Sequence, residues 1–287
     1  MKKNINLSSI KLTKNLFIGN YRSFFKGNGF DLESIRPYLE GDDLKYIDWN
    51  NTLKNNKLYT KIFKEDRDIE IIFIVDFSKS ITSNNIAFDN LKNIFSLLLL
   101  ASISNNDKVG AIFFTDKIEK VFFPKRNKRY IHNIFNEFKN FKPKNKGSNL
   151  KYVLKFILKN IKRLNFKKSN VIFILSDFFT SDFSKELSIL SKNQTIIAIL
   201  FESIKKMKNF GYIDLKDNEN DNIVSFYNEN NFVYFNKYIE DHKNILYSKF
   251  KKNRVDLINI SQKDDALKKI YNYFVIKKRL LYKGVLN

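Results

Sequence analysis

The feature that most constrains the fold is a set of short, unbroken apolar runs at residues 71–75, 109–114, 171–175 and 195–201. Each has the length of a strand and is rich in β-branched and aromatic side chains. None alternates with polar residues, so each suits a strand covered on both faces, as in a parallel sheet. Residues 255–260 are a weaker fifth candidate. Helical patterns lie between the runs. Over 87–103, Leu91, Ile94, Phe95, Leu98 and Ala101 share one face. After Gly147, the residues Leu150, Val153, Leu154, Ile157, Leu158, Ile161 and Leu164 follow helical spacing. A last helix is expected over 263–278, with Leu267, Ile270, Tyr271 and Phe274 on one face. Strands that alternate with helices predict an α/β domain, a mostly parallel sheet with helices on both faces.

That domain is expected over 70–280. Residues 1–69 read differently, because Gly19, Gly27, Gly29 and Gly41 make up half of the chain's 8 glycines. They predict a β-rich, turn-rich N-terminal segment. Residues 203–254 are also irregular. They are expected to form an inserted hairpin, turning over 217–222, and one helix over 236–251. The N-terminus lacks the apolar core of a signal peptide, and the apolar runs, 97–101 included, are too short to span a bilayer. These features predict no membrane span and a cytoplasmic protein.

Composition narrows the chemistry. The chain has no cysteine, which excludes disulfides, thiol nucleophiles, iron–sulfur clusters and cysteine zinc sites. His132 and His242 are the only histidines and have no metal-type spacing. No Walker loop and no G-x-G-x-x-G is present. The net charge of +22 fits an anionic partner, yet the lysines are spread along the whole chain, as a compositional bias would spread them.

The candidate chemistry lies at strand ends, where ligands of open α/β sheets bind. The first run ends in Asp76-Phe77-Ser78-Lys79-Ser80, a D-x-S-x-S pattern. A carboxylate and two hydroxyls on one loop are hard oxygen ligands. They suit Mg²⁺, with Mn²⁺ or Ca²⁺ as alternatives. The third run ends in Ser176-Asp177, a second carboxylate at a strand tip. Between them, Gly147-Ser148-Asn149 precedes the clearest helix. A purely structural reading also accounts for these residues: Asp76 turns the chain, and the serines, Ser148 included, cap helices.

Together these residues resemble the metal-ion-dependent adhesion site of von Willebrand factor A domains. The resemblance assigns metal ligation to Asp76, Ser78, Ser80, Ser148 and Asp177, with Ser148 where that family usually has threonine. Asp182 would be an accessory carboxylate. Upstream, the stretch from Gly19 to Phe30, then Ile35-Arg36-Pro37-Tyr38, Gly41-Asp42-Asp43 and Ile47-Asp48-Trp49, resembles a bacterial domain of unknown function (number fifty-eight). That family joins such a segment to a von Willebrand A-like core, and the resemblance covers residues 16–275. Thr52-Leu53-Lys54 departs from its usual Ser-Ala-Arg. Within this block Arg36 can pair with Asp42, Asp43 or Asp48, and Trp49 can anchor a strand against the core.

The resemblance implies a non-enzymatic, metal-dependent interaction module, an adaptor or chaperone-like partner of a MoxR-type AAA+ ATPase. An Asp or Glu from that ATPase, or from another protein, would complete the metal site. Two alternatives carry less. A charge-driven nucleic-acid binder would lack every common recognition motif. A Mg²⁺-dependent hydrolase of the haloacid dehalogenase kind needs a second aspartate two residues after the first, and here that position is Ser78.

Overall fold

Strand pairing and contacts divide the chain into one unit drawn from Met1–Asp68 and Phe274–Asn287 and another formed by Ile69–Tyr273. The computed structural model describes residues 21, 32–63, 69–161, 170–203, 213–216, 223–226 and 229–282.

In the first unit, β1 (Leu32–Pro37) runs antiparallel to β2 (Tyr59–Phe63). Between them lie a 3₁₀ turn (Leu44–Tyr46) and helix α1 (Trp49–Asn55). Arg36 donates to both carboxylate oxygens of Asp42, at 2.8 and 2.9 Å, and the Leu39 amide donates to the same group. These donors hold the Asp42 carboxyl below the usual carboxylate range. The turn they close passes through Gly41 at φ 102°, a conformation that favours glycine. Asp48 caps α1 by accepting from the amides of Asn50 and Asn51. One expectation is corrected here. Trp49 does not anchor a strand: it opens α1 and is 62% exposed. Of the carboxylates open to Arg36, Asp42 pairs with it, while Asp48 serves as a cap. Gly19, Gly27 and Gly29 lie outside the described residues.

In the second unit the apolar runs become β3 (Glu70–Asp76), β4 (Lys108–Phe114), β6 (Val171–Ser176) and β7 (Thr195–Phe201). The weaker candidate becomes β10 (Asp256–Ile260). A strand the sequence did not signal, β5 (Ile118–Lys125), forms the antiparallel edge. It escapes the pattern because its residues are half-buried and it contains Pro124, both marks of an edge strand. The order is β10-β7-β6-β3-β4-β5, with every pair parallel except β4 with β5. The fold class is the expected one, α/β with a mostly parallel sheet and helices on both faces. Its switch point lies between β3 and β6, because the chain leaves β3 toward β4 and returns on the other side.

The two sheet faces are covered by different helices. On one face, Ile72, Ile74, Ile172 and Ile174 pack with α5 (Leu150–Lys159) and α6 (Ser184–Leu190). On the other, Phe73 meets Phe95 of α3 (Asn85–Ser104) edge-on at 5.3 Å. Phe95 in turn packs on Phe138 of α4 (Lys128–Asn140) at 4.3 Å. Alternate residues of each buried strand thus feed two cores. A single turn, α2 (Lys79–Thr82), precedes α3. Among the described residues, α3 alone is long and apolar enough to cross a membrane, at a mean hydropathy of 1.4. Half of that stretch is buried, and its Leu91, Ile94, Phe95 and Leu98 are core residues. The hairpin strands β8 (Ile213–Lys216) and β9 (Ile223–Phe226) pair antiparallel. Helix α7 (Glu229–Lys252) follows, and α8 (Ala266–Tyr282) ends the described chain.

Gly110 in β4 is required by the close approach of β5. A Cβ there would stand 2.7 Å from the Phe122 carbonyl oxygen and 3.0 Å from the Pro124 nitrogen, both backbone atoms. Gly110→Ala is expected to lower stability by about 1–3 kcal/mol, as overpacking a rigid site does. Urea denaturation measures it. An unchanged midpoint would show that β5 is not held against β4 in this way.

Candidate metal centre

The register of the sheet assembles the site. β3 and β6 run parallel with Val75 opposite Leu175, so the next residues, Asp76 and Ser176, lie side by side and Asp177 follows. The Ser176 hydroxyl donates to Asp76 Oδ2 at 2.6 Å. The Ser148 hydroxyl donates to the same oxygen at 2.9 Å, across from the loop before α5. Asp76 Oδ1 accepts from the Ser78 amide at 2.8 Å. The Ser78 and Ser80 hydroxyls lie 3.0 Å apart, and Ser80 hydrogen-bonds Asp177. Asp177 also accepts from the Phe179 amide and, at 2.8 Å, from the Ser203 hydroxyl.

Every ligand candidate read from the sequence therefore joins one cluster. The capping alternative fails on particulars. Asn149, not Ser148, caps α5, accepting from the Tyr152 amide. Ser78 precedes α2 but makes no side-chain cap bond. Asp182 stands apart: it is exposed, pairs with Lys249 at 2.6 Å and bonds Ser184. Ser176 and Ser203 were missed. The signal for Ser176 was available, since the two apolar runs align end to end and leave it opposite Asp76. Ser203 had no comparable signal.

Each aspartate is followed by a buried phenylalanine that pins its loop. The Phe77 amide donates to the Phe114 carbonyl, and its ring sits 4.4 Å from Phe141 and 5.2 Å from Phe113. Phe178 takes a positive φ of 58°, which costs a bulky residue about 1–2 kcal/mol. Its ring packs edge-on against Phe250 of α7 at 5.1 Å. Phe179 stacks on His242 of the same helix at 4.3 Å.

The electrostatics are unbalanced. Asp76 and Asp177 are both fully buried, and among the described residues no lysine or arginine pairs with either. Burial, and then the charge of Asp177, pushes the Asp76 carboxyl up to about 7. Burial also raises Asp177, against the hydrogen bonds from Ser80, Ser203 and Phe179. No three His, Asp or Glu side chains gather anywhere among the described residues, so the cluster is no all-carboxylate cage. It offers two carboxylates and several hydroxyls, a hard-oxygen donor set that fits a small divalent cation.

A sequence profile described as "Protein of unknown function DUF58" matches residues 34–244. The chain belongs to this family. No curated protein matches it. Solved structures similar to this DUF58 chain include BatB from Bacteroides thetaiotaomicron, at 11% identity and a TM-score of 0.46, covering 74% of this chain and 98% of that one. The VWA domain of SpRpn10 is 14% identical with a TM-score of 0.40, over 72% of this chain and 94% of that one. Proximal thread matrix protein 1 from the mussel byssus, with a zinc-occupied MIDAS motif, is 20% identical with a TM-score of 0.38, over 49% and 42%.

The raised Asp76 carboxyl sets a pH dependence for the metal-free protein. The folded chain holds that proton more tightly than the unfolded chain. Its contribution to stability is therefore full below the ordinary carboxylate value and is lost as pH rises toward about 7. Asp182, lowered to about 2 by Lys249, stays ionised above pH 5. His242, lowered by burial, works in the opposite direction. In chelator, the stability of wild type relative to Asp76→Asn should fall between pH 5 and 8, a comparison in which His242 cancels. A flat or rising difference in urea midpoints would contradict the burial account.

Proposed function

We propose that the chain is a non-enzymatic, metal-dependent protein-interaction module, an adaptor or chaperone-like partner of a MoxR-type AAA+ ATPase. The observation that carries the reading is the buried Asp76–Asp177 pair, ringed by Ser78, Ser80, Ser148, Ser176 and Ser203 and lacking a basic partner among the described residues. Such a pair is stable in its ionised form only with a cation beside it. Asp76, Ser78, Ser80, Ser148 and Asp177 would hold Mg²⁺, while Ser176 and Ser203 orient the two carboxylates. When bound, Mg²⁺ supplies positive charge and a coordination position that an outside oxygen can fill. Two formal negative charges do not over-neutralise it, so an Asp or Glu of the partner is a fitting last ligand. The ATPase as partner is supported by the family resemblance alone.

The hydrolase reading finds little support in this arrangement. The haloacid dehalogenase arrangement needs a second carboxylate two residues beyond Asp76 as its acid/base, and Ser78 stands there, its hydroxyl engaged with Ser80.

The test uses Asp76→Asn. Alanine would strand three donors, the buried Ser78 amide and Ser176 hydroxyl and the half-buried Ser148 hydroxyl, whereas asparagine keeps an acceptor and removes the charge. The chain, immobilised and presented with the purified MoxR-type ATPase of the same organism, is expected to retain it in Mg²⁺ and release it in chelator. Asp76→Asn, with an unchanged circular dichroism spectrum, is expected to lose at least tenfold in retention. Equal retention by both proteins in Mg²⁺ and in chelator would overturn the metal-dependent mechanism.

A further inference from the structure

The rim of the metal centre is asymmetric in charge. On the β6–β7 side, two acidic groups near the loops are matched by lysines: Asp182 with Lys249 at 2.6 Å, and Glu202 with Lys243 at 2.8 Å. On the β4 side the pattern reverses. Lys117, Lys142 and Lys144 are exposed and make no ion pair among the described residues. The acidic groups beside them are committed to other partners. Glu119 accepts the amides of Lys144 and Asn145 and, at 2.7 Å, the Thr115 hydroxyl. Asp116 takes the same hydroxyl at 3.2 Å.

These bonds make one platform of two segments. The turn after β4 is closed by the Thr115 amide on the Lys117 carbonyl. Glu119, at the start of β5, ties that turn to the 144–145 backbone. The Asn149 amide donates to the Thr115 carbonyl, and the Lys79 amide donates to the Lys146 carbonyl. Lys117, Lys142 and Lys144 therefore sit on a hydrogen-bonded shelf that also carries Ser148 and abuts the Ser78–Ser80 loop. The even spread of lysine in the sequence does not distinguish them; what sets them apart is that three exposed lysines gather on one shelf and none of them forms an ion pair among the described residues.

We propose that this shelf reads acidic residues flanking the carboxylate that completes the metal centre, so that the partner presents an acidic peptide segment with its extra carboxylates toward β4. The inference rests on the metal-dependent reading and adds the chemistry and orientation of the partner. An acidic protein segment is favoured over nucleic acid because the shelf adjoins a centre suited to a single carboxylate. Each exposed pair contributes modestly, so the gain comes from several together and is screened by salt.

Two fluorescent peptides test it by anisotropy with the full chain in Mg²⁺ at low salt: one with a single aspartate among glycines and serines, one with that aspartate flanked by glutamates. Wild type is expected to bind the glutamate-flanked peptide about tenfold more tightly, with the preference shrinking as salt rises. In the Lys117→Gln, Lys142→Gln, Lys144→Gln triple variant the preference should fall to about twofold or less, with binding of the single-aspartate peptide unchanged. Chelator should abolish binding of both peptides. Mg²⁺-dependent binding that ignores the lysine substitutions would overturn this inference and leave the metal reading standing. Lysine-dependent binding that ignores Mg²⁺ would overturn the metal reading, and this inference with it. A single-stranded oligonucleotide that outcompetes the acidic peptide through the same lysines would overturn the choice of an acidic protein partner.

Discussion

Two carboxylates meet at the tips of adjacent parallel strands, fully buried and with no basic side chain paired to either among the described residues. Asp76 and Asp177 are brought there by the register of β3 with β6, and that register is itself set by two apolar runs of equal length. The arrangement is unfavourable as it stands, because burial and mutual repulsion both act against ionisation. The surrounding hydroxyls and amides soften the repulsion without removing it. The rest of the second unit can be understood as what holds this pair in place: two phenylalanine-rich cores, one on each side of the sheet, and loops pinned by Phe77 and Phe178.

The same geometry decides which loops meet at the site. β3 and β6 flank the point where strand order reverses, the place where ligands of open α/β sheets bind. The loops after β3, β4 and β6 converge there, each fixed by backbone bonds to its neighbours: Phe77 to Phe114, Lys79 to Lys146, and Asn149 to Thr115. A centre built this way has a floor held by backbone bonds, with Ser80 and Ser148 half-buried at its edge.

Much of this was legible in the sequence. Uniformly apolar strands announce themselves because they are buried on both faces, and the aspartates stand out as abrupt charges at their ends. The N-terminal signature was legible as a family resemblance, but its local roles were not. Trp49 opens an exposed helix, a position no hydrophobicity pattern would assign to a tryptophan. The edge strand β5 was hidden because half-burial and Pro124 dilute its pattern. The Ser148 cap was misleading for a related reason: serine and asparagine are both good caps, and the sequence Ser148-Asn149 does not say which one turns inward. Ser203 reaches Asp177 only through the placement of β7 beside β6, a contact that depends on tertiary structure.

The central claim is that the Asp76–Asp177 pair is completed by a divalent cation. Titration with Mn²⁺, followed by the loss of its free-ion electron paramagnetic resonance signal, counts such sites directly. The account predicts one bound ion per chain, displaced by Mg²⁺, and none in Asp177→Asn. No bound ion in the wild-type protein, or one retained when the Asp177 charge is removed, would contradict it.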